Sequence, residues 1–341
     1  MLFFSEKNYR GNHAGTKARN DAEMILRQCG AVPVNTHTLE LRSDAYDNIR
    51  SGIKNRLGYL RYFSDLFFVR NQTVVIQYPM LAFDIQFEYV KKLAKYNRVY
   101  FLVHDIHSLR RDGHRGLEDE LRMLNLATGL IVHNRFMEKK LKEIGATAKE
   151  YYRLECFDYL RRDQGDYNDF SADIAFAGNL SKSEFIPAMC LENSQVQFNL
   201  YGPGWESEFV NAQYQGSFLP DEIPANLKGR FGLVWDGSTI CGCEGALGEY
   251  TRINNPHKMS LYIAAGIPII AWEQAAIADF VHRNKIGIAV KQIDSLRNII
   301  DRITEEEYNE MRQNVLRLKS EVTNGMFLQR VLSEIERKQD V

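Results

Sequence analysis

Short apolar runs alternate with amphipathic stretches along this chain, the pattern of parallel sheets covered by helices. In the first half, Thr73–Gln77, Val99–Val103 and Leu130–His133 read as buried strands. Between them the spacing turns helical. Thr16–Cys29 puts Ala22, Ile25, Leu26 and Cys29 on one face, and Phe136–Ile144 does the same with Met137, Leu141 and Ile144. The second half repeats the scheme, with Asp173–Ala177, Val196–Leu200, Phe231–Trp235, Ile267–Ala271 and Gly287–Val290 as strands. Met326–Lys338 predicts a last helix, since Phe327, Leu328, Val331, Leu332 and Ile335 share one side; it can pack against either half. The expected fold class is α/β, with two Rossmann-like domains.

A length of 341 residues supports two cores of ordinary size. The expected divisions are 1–155, 156–325 and the closing helix 326–341. The join falls between Lys149 and Asp173, where Arg161–Asp169 is polar and turn-rich, as a hinge would be. Ile263–Trp272, among the longest apolar stretches, is broken by Gly266 and Pro268 and is too short for the ~20 residues of a bilayer span. The first residues lack the basic, apolar and small-residue order of an export signal, so a cytoplasmic protein is expected, at most touching the inner face of the membrane. Five cysteines, an odd number, argue against a disulfide framework, and Cys241-Gly-Cys243 has no second ligand pair at zinc spacing. No metal is expected.

Net charge is −1, but residues 1–155 hold 25 Lys and Arg against 18 Asp and Glu, and the remainder 18 against 26. A basic first half suits either solvated charge or an anionic acceptor or membrane surface; it does not call for nucleic acid. Ile49–Phe68 adds a basic amphipathic pattern, with Arg50, Lys54, Arg56 and Arg61 beside Ile53, Leu57, Leu60 and Phe67. That is either a core helix with solvated arginines or a peripheral contact with a membrane carrying a lipid-linked acceptor.

The segment from Gly245 to Gly266 carries the most chemistry. Asn255 reads as an N-cap and Pro256 as the first helical residue, so free N–H groups and Lys258 gather at one helix start. Such a start receives an anion, phosphate above all; a plain capped helix with an exposed lysine is the other reading. Gly178-Asn179-Leu180-Ser181-Lys182 forms a second turn from strand to helix, suited to diphosphate oxygens or simply to chain reversal. Near the start, Arg10–Lys17 is a glycine-bearing loop leading into a helix capped near Thr16, without the G-x-G-x-x-G dinucleotide fingerprint. His104 and Asp105 follow the strand Val99–Val103, at the carboxyl end where parallel sheets bind ligands, and either can serve as a base toward a hydroxyl. His13, His133 and His257 are weaker candidates. The chain has no Asp-x-Asp, so charge on a leaving diphosphate falls to Lys182, Lys258 and the helix start.

Six blocks in order, Gly15–Asp21, Val103–Arg110, Phe176–Ser181, Gly232–Asp236, Asn254–Tyr262 and Ala275–Phe280, resemble a family of bacterial hexosyltransferases. It includes the streptococcal glucosyltransferase acting on serine-rich adhesins and the enterobacterial β-1,6-galactofuranosyltransferases of O-antigen synthesis. The resemblance implies a GT-B fold, metal-independent transfer and a nucleotide-sugar donor held mainly by the C-terminal domain. It also implies donor contacts at Gly15, Thr16, Gly178, Asn179, Lys182, Tyr201, Tyr250, Asn254, Asn255 and Lys258, with uridine near Tyr201 and the Trp235 strand end. Helix-mediated homo-oligomers occur in the family. The basic loop Arg111–Gly116 has no clear family counterpart.

The expected activity is inverting transfer of glucose or galactofuranose from a UDP-sugar to a glycan hydroxyl, on a lipid-linked oligosaccharide or a glycoprotein, with no cofactor beyond the nucleotide sugar. Two other readings stand beside it. A nucleotide-sugar epimerase shares such a fold and phosphate site, and a non-catalytic partner would bind nucleotide or glycan for another transferase.

Overall fold

The computed structural model describes residues 1–5, 14–34, 69–80, 86–110, 116–161 and 170–338. His13, the Ile49–Phe68 pattern, most of the Arg111–Gly116 loop and nearly all of the Arg161–Asp169 hinge lie outside them.

Two six-stranded sheets organise the chain. The first holds β1 (Leu2–Phe4), β2 (Val32–Val34), β3 (Thr73–Tyr78), β4 (Arg98–Val103), β5 (Gly129–Val132) and β6 (Glu150–Arg153), in the order β2-β1-β3-β4-β5-β6. The second holds β7 (Ile174–Ala177), β8 (Phe198–Tyr201), β9 (Ala212–Gly216), β10 (Phe231–Val234), β11 (Ile269–Trp272) and β12 (Gly287–Val290), in the order β12-β11-β10-β7-β8-β9. Every neighbouring pair within these sheets is parallel. Strands covered on both faces read as unbroken apolar runs, and β3, β5, β7, β8, β10 and β11 are buried throughout. The apolar runs of the sequence therefore correspond to strands within a residue or two. Two short strands, β6 and β9, lacked such a run, and β1 and β2 are apolar but only three residues long.

Strand order reverses between β1 and β3 in the first sheet and between β7 and β10 in the second. Ligands of open parallel sheets bind beyond the carboxyl ends of the strands at these reversals.

The final helix, Met326–Arg337, returns to the first lobe. Phe327, Leu328, Val331, Leu332 and Ile335 are buried in one core with Phe3, Ile25, Leu26, Val75 and Tyr152. Gly325 lies so close to Ile25 that an added Cβ would sit 2.7 Å from its Cγ1. The helix start is tied to the connection between the lobes, since Asp158 accepts hydrogen bonds from Phe327 N (3.1 Å) and Leu328 N (2.8 Å). Among the described residues no helix is long and apolar enough to cross a membrane.

Candidate functional site

A cavity of about 590 Å³ opens between the lobes. Its first wall comes from Gly15, Ala18 and Arg19 of helix Ala14–Gln28, Pro79 and Met80 after β3, His104 and Asp105 after β4, His107 and Arg110 of the next turn, and His133 after β5. Its second wall is Asp236 after β10 and Asn254–Lys258, which lead into helix His257–Ala265. Phe157, on the connection between the lobes, closes the floor.

Phe157 gathers three imidazoles. His104 stacks on it with centroids 5.4 Å apart, His133 meets it edge-on at 4.9 Å, and His257 tilts against it at 6.1 Å. Burial pushes His133 and His257 down to about 4, with Lys17 adding to the effect at His257. Burial, then Arg19, holds His104 well below the ordinary histidine range. All three rings are neutral at pH 7.

Asn255 latches the lobes together. Its N–H donates to His133 Nδ1 (2.9 Å), its amide nitrogen to the backbone oxygens of His133 (2.9 Å) and Glu155 (2.8 Å), and its Oδ1 accepts from Asn134 (2.7 Å). Asn134 meanwhile caps helix Arg135–Glu143 by accepting from Phe136 N and Met137 N. This arrangement corrects one expectation. The helix begins at His257 with Pro256 as its N-cap residue, because the Asn255 side chain is turned away to the opposite lobe.

Lys258 sits at the strand reversal of the second sheet. Its Nζ lies 2.8 Å from Asp236 Oδ1 and 3.2 Å from Trp235 O, and 4.8 Å from the centre of the Phe176 ring. Gly178 comes up against its stem, where an added Cβ would stand 3.1 Å from Lys258 Cε. Gly202, with φ +127°, presses on Gly178 in turn; a Cβ there would fall 1.8 Å from Gly178 O.

Of the residues singled out from sequence, Gly15, His104, Asp105, His133, Asn254, Asn255, His257 and Lys258 meet around the cavity. Asn254 and His257 each carry a buried side-chain atom, Oδ1 and Nε2, with no hydrogen-bond partner among the described residues. Thr16, Gly178, Asn179, Lys182, Tyr201 and Tyr250 are not part of its lining. Asn179 and Lys182 are exposed, with Asn179 Oδ1 accepting from Ser181 Oγ, and Thr16 is buried. Tyr201 is buried, its hydroxyl accepting from Lys228 N (3.0 Å). Tyr250, on helix Gly245–Tyr250, inserts into the core of the first lobe, where its hydroxyl accepts from Ile106 N (2.8 Å) and bonds Asp105. Asp105 also pairs with Arg110.

Arg19, Gln77, Arg110 and Asp236 were not singled out from sequence. Gln77 and Asp236 had one available signal, a polar residue at or just past the carboxyl end of an apolar strand. Arg19 had none, since it looks like any helix arginine until the fold buries it. Among the described residues no group of three or more His, Cys, Asp or Glu is placed to hold a metal ion.

Residues 4–156 match the family model "Glucosyltransferase 3-like, N-terminal domain", and residues 174–335 match "Glucosyltransferase 3-like, C-terminal domain". The chain is 32% identical to the beta-1,6-galactofuranosyltransferase WbbI of Escherichia coli K12, over 98% of each chain. It is 24% identical to glucosyltransferase 3 of Streptococcus gordonii over 94% of each. The chain belongs to the glucosyltransferase 3-like family. It is a glycosyltransferase of the hexosyltransferase type.

This glycosyltransferase has the GT-B fold. It superposes on the lipopolysaccharide outer core galactosyltransferase WaaB with a TM-score of 0.58 at 12% identity, over 99% of each chain. A UDP-forming trehalose-phosphate synthase from Burkholderia vietnamiensis gives 0.60 at 10% identity, over 98% of each.

Proposed function

We propose that this chain transfers glucose or galactofuranose from a UDP-sugar to a glycan hydroxyl, with donor and acceptor meeting in the cavity between the lobes. The observation that carries the reading is the placement of Lys258 and a helix start at the reversal of the second sheet, in the same cavity as His104 and Asp105 at the end of β4. The diphosphate lies against the helix start and Lys258, where backbone N–H groups and the ammonium neutralise the charge that grows as the C1–O bond breaks. Asp236 holds that ammonium in place before the donor arrives. The acceptor hydroxyl approaches from the first lobe and gives its proton to a base there, an arrangement suited to inversion without a metal ion. Gly178, packed against the Lys258 stem, borders the donor side. The acceptor belongs to surface polysaccharide or glycoprotein synthesis in the cytoplasm.

The test combines the protein with UDP-glucose, UDP-galactose and UDP-galactofuranose, each with and without a glycan acceptor, with and without a chelator. Acceptor-dependent release of UDP from one preferred donor is expected, unchanged by the chelator. Conversion of the donor sugar without acceptor would make the chain an epimerase. Thermal stabilisation by UDP without turnover across the panel would make it a binding partner.

A further inference from the structure

Gln77 is a polar side chain, 1% exposed, in a strand with no exposed residue. Its partners explain it. The amide nitrogen donates to Arg19 O at 3.3 Å, and Oε1 lies 2.6 Å from His104 Nε2. A backbone carbonyl can only accept, so the nitrogen of the amide faces Arg19 and the oxygen faces the imidazole. His104 Nε2 must then carry the hydrogen, which leaves the lone pair of the neutral ring on Nδ1. Among the described residues no hydrogen bond reaches that Nδ1, and it is absent from the buried atoms that lack partners. His104 lines the cavity, so Nδ1 is the ring atom left to face it.

We propose that Gln77 is the positioning residue that locks His104 in the Nε2–H tautomer, making Nδ1 the base for the acceptor hydroxyl. This rests on the glycosyl-transfer reading above. In the step, the hydroxyl proton passes to Nδ1 as its oxygen bonds C1 of the donor hexose; the C1–O bond to the diphosphate breaks and its electron pair leaves with UDP. Asp105 is less suited to the task, because Arg110 and the Tyr250 hydroxyl already engage it.

The groups around the ring set its basicity. Arg19 from helix Ala14–Gln28, His133 after β5 and His257 at the start of its helix all face it, and each positive charge among them opposes protonation. Asp105 and Arg110 pair with each other nearby. The ring therefore stays neutral and its lone pair free, while a bound diphosphate supplies the negative charge that favours the imidazolium as the proton arrives. An amide at position 77 fixes the ring without adding charge; a carboxylate would also raise its pKa.

Two experiments on the full chain separate the outcomes. Nitrogen-15 histidine spectra at pH 7, with His104 assigned by its loss in His104→Gln, should show Nε2 protonated and Nδ1 bare. A hydrogen on Nδ1 overturns the proposal. In Gln77→Glu the acid limb of the kcat profile should move up by about one pH unit or more, with donor KM nearly unchanged. In Gln77→Met kcat should fall about tenfold or more without that shift. A Gln77→Glu profile that overlays the parent at retained turnover also overturns it. If Gln77→Glu does not fold, the spectra and Gln77→Met still decide between the two outcomes. If the parent turns over no donor, glycosyl transfer fails as a reading, while the spectra separately decide the tautomer.

Discussion

The imidazoles gathered on Phe157 and the ammonium at the end of the second sheet face the same cleft in different states. His104 and His133 of the first wall meet His257 of the second around Phe157, and burial keeps all three neutral. On the second wall, Lys258 stays partly exposed, 18% of its side chain in contact with solvent, and faces Asp236 as an ion pair. Residue type sets this difference and burial sharpens it: bare imidazole lone pairs around Phe157, and an ammonium at the end of the second sheet. A sugar transfer needs both. A proton must be received from the acceptor while negative charge leaves on the donor.

Removing the charged wall should have the largest effect. Lys258→Ala is expected to lower UDP-sugar turnover on the order of a hundredfold to a thousandfold while thermal unfolding stays cooperative, and unchanged turnover would displace the donor site from this helix start. The latch between the walls comes next. Asn255→Ala leaves the His133 and Glu155 carbonyls and the Asn134 amide without a shared partner, at a cost of about 2–3 kcal/mol in chemical denaturation. A loss below measurement error would mean that water replaces the latch freely.

The smallest effect concerns pH. Below about pH 6.5 the unfolded chain binds protons on its histidines that the folded chain refuses, since burial holds His133 and His257 down to about 4; this contribution to stability falls as pH drops from 6.5 toward 4. Asp21 and Asp158 act in the other direction. Burial pushes them up to about 6 and about 7 from 3.8, so the folded chain takes up their protons first and gains stability as pH falls through that window. Asp158→Asn removes part of this opposition, and its melting temperature should fall more steeply from pH 7 to 5 than the parent's. Parallel curves would show that the carboxylate, bonded to Phe327 N and Leu328 N, stays ionised throughout.

Much of the architecture was legible because buried parallel strands must be apolar on both faces. Val99–Val103 and Ile267–Ala271 announced themselves in this way. The strands Val32–Val34 and Ala212–Gly216 did not, since each lies at a sheet edge and keeps exposed residues. Within the cleft, Lys258 was legible from a local pattern, proline and lysine at a helix start. Tyr250 was not: its place in the first lobe's core depends on a contact with Ile106, 144 positions away in the chain.

By itself the sequence determined two α/β lobes, a helix start rich in positive character and a His-Asp pair at a strand end, because periodicity and capping are local properties of neighbouring residues. The tertiary structure alone decided that Asn255 would bridge the lobes instead of capping its helix, that three distant histidines would meet on Phe157, and that Gln77 would face His104. These outcomes depend on which groups lose their water together, and only the closed fold brings them out of solvent side by side.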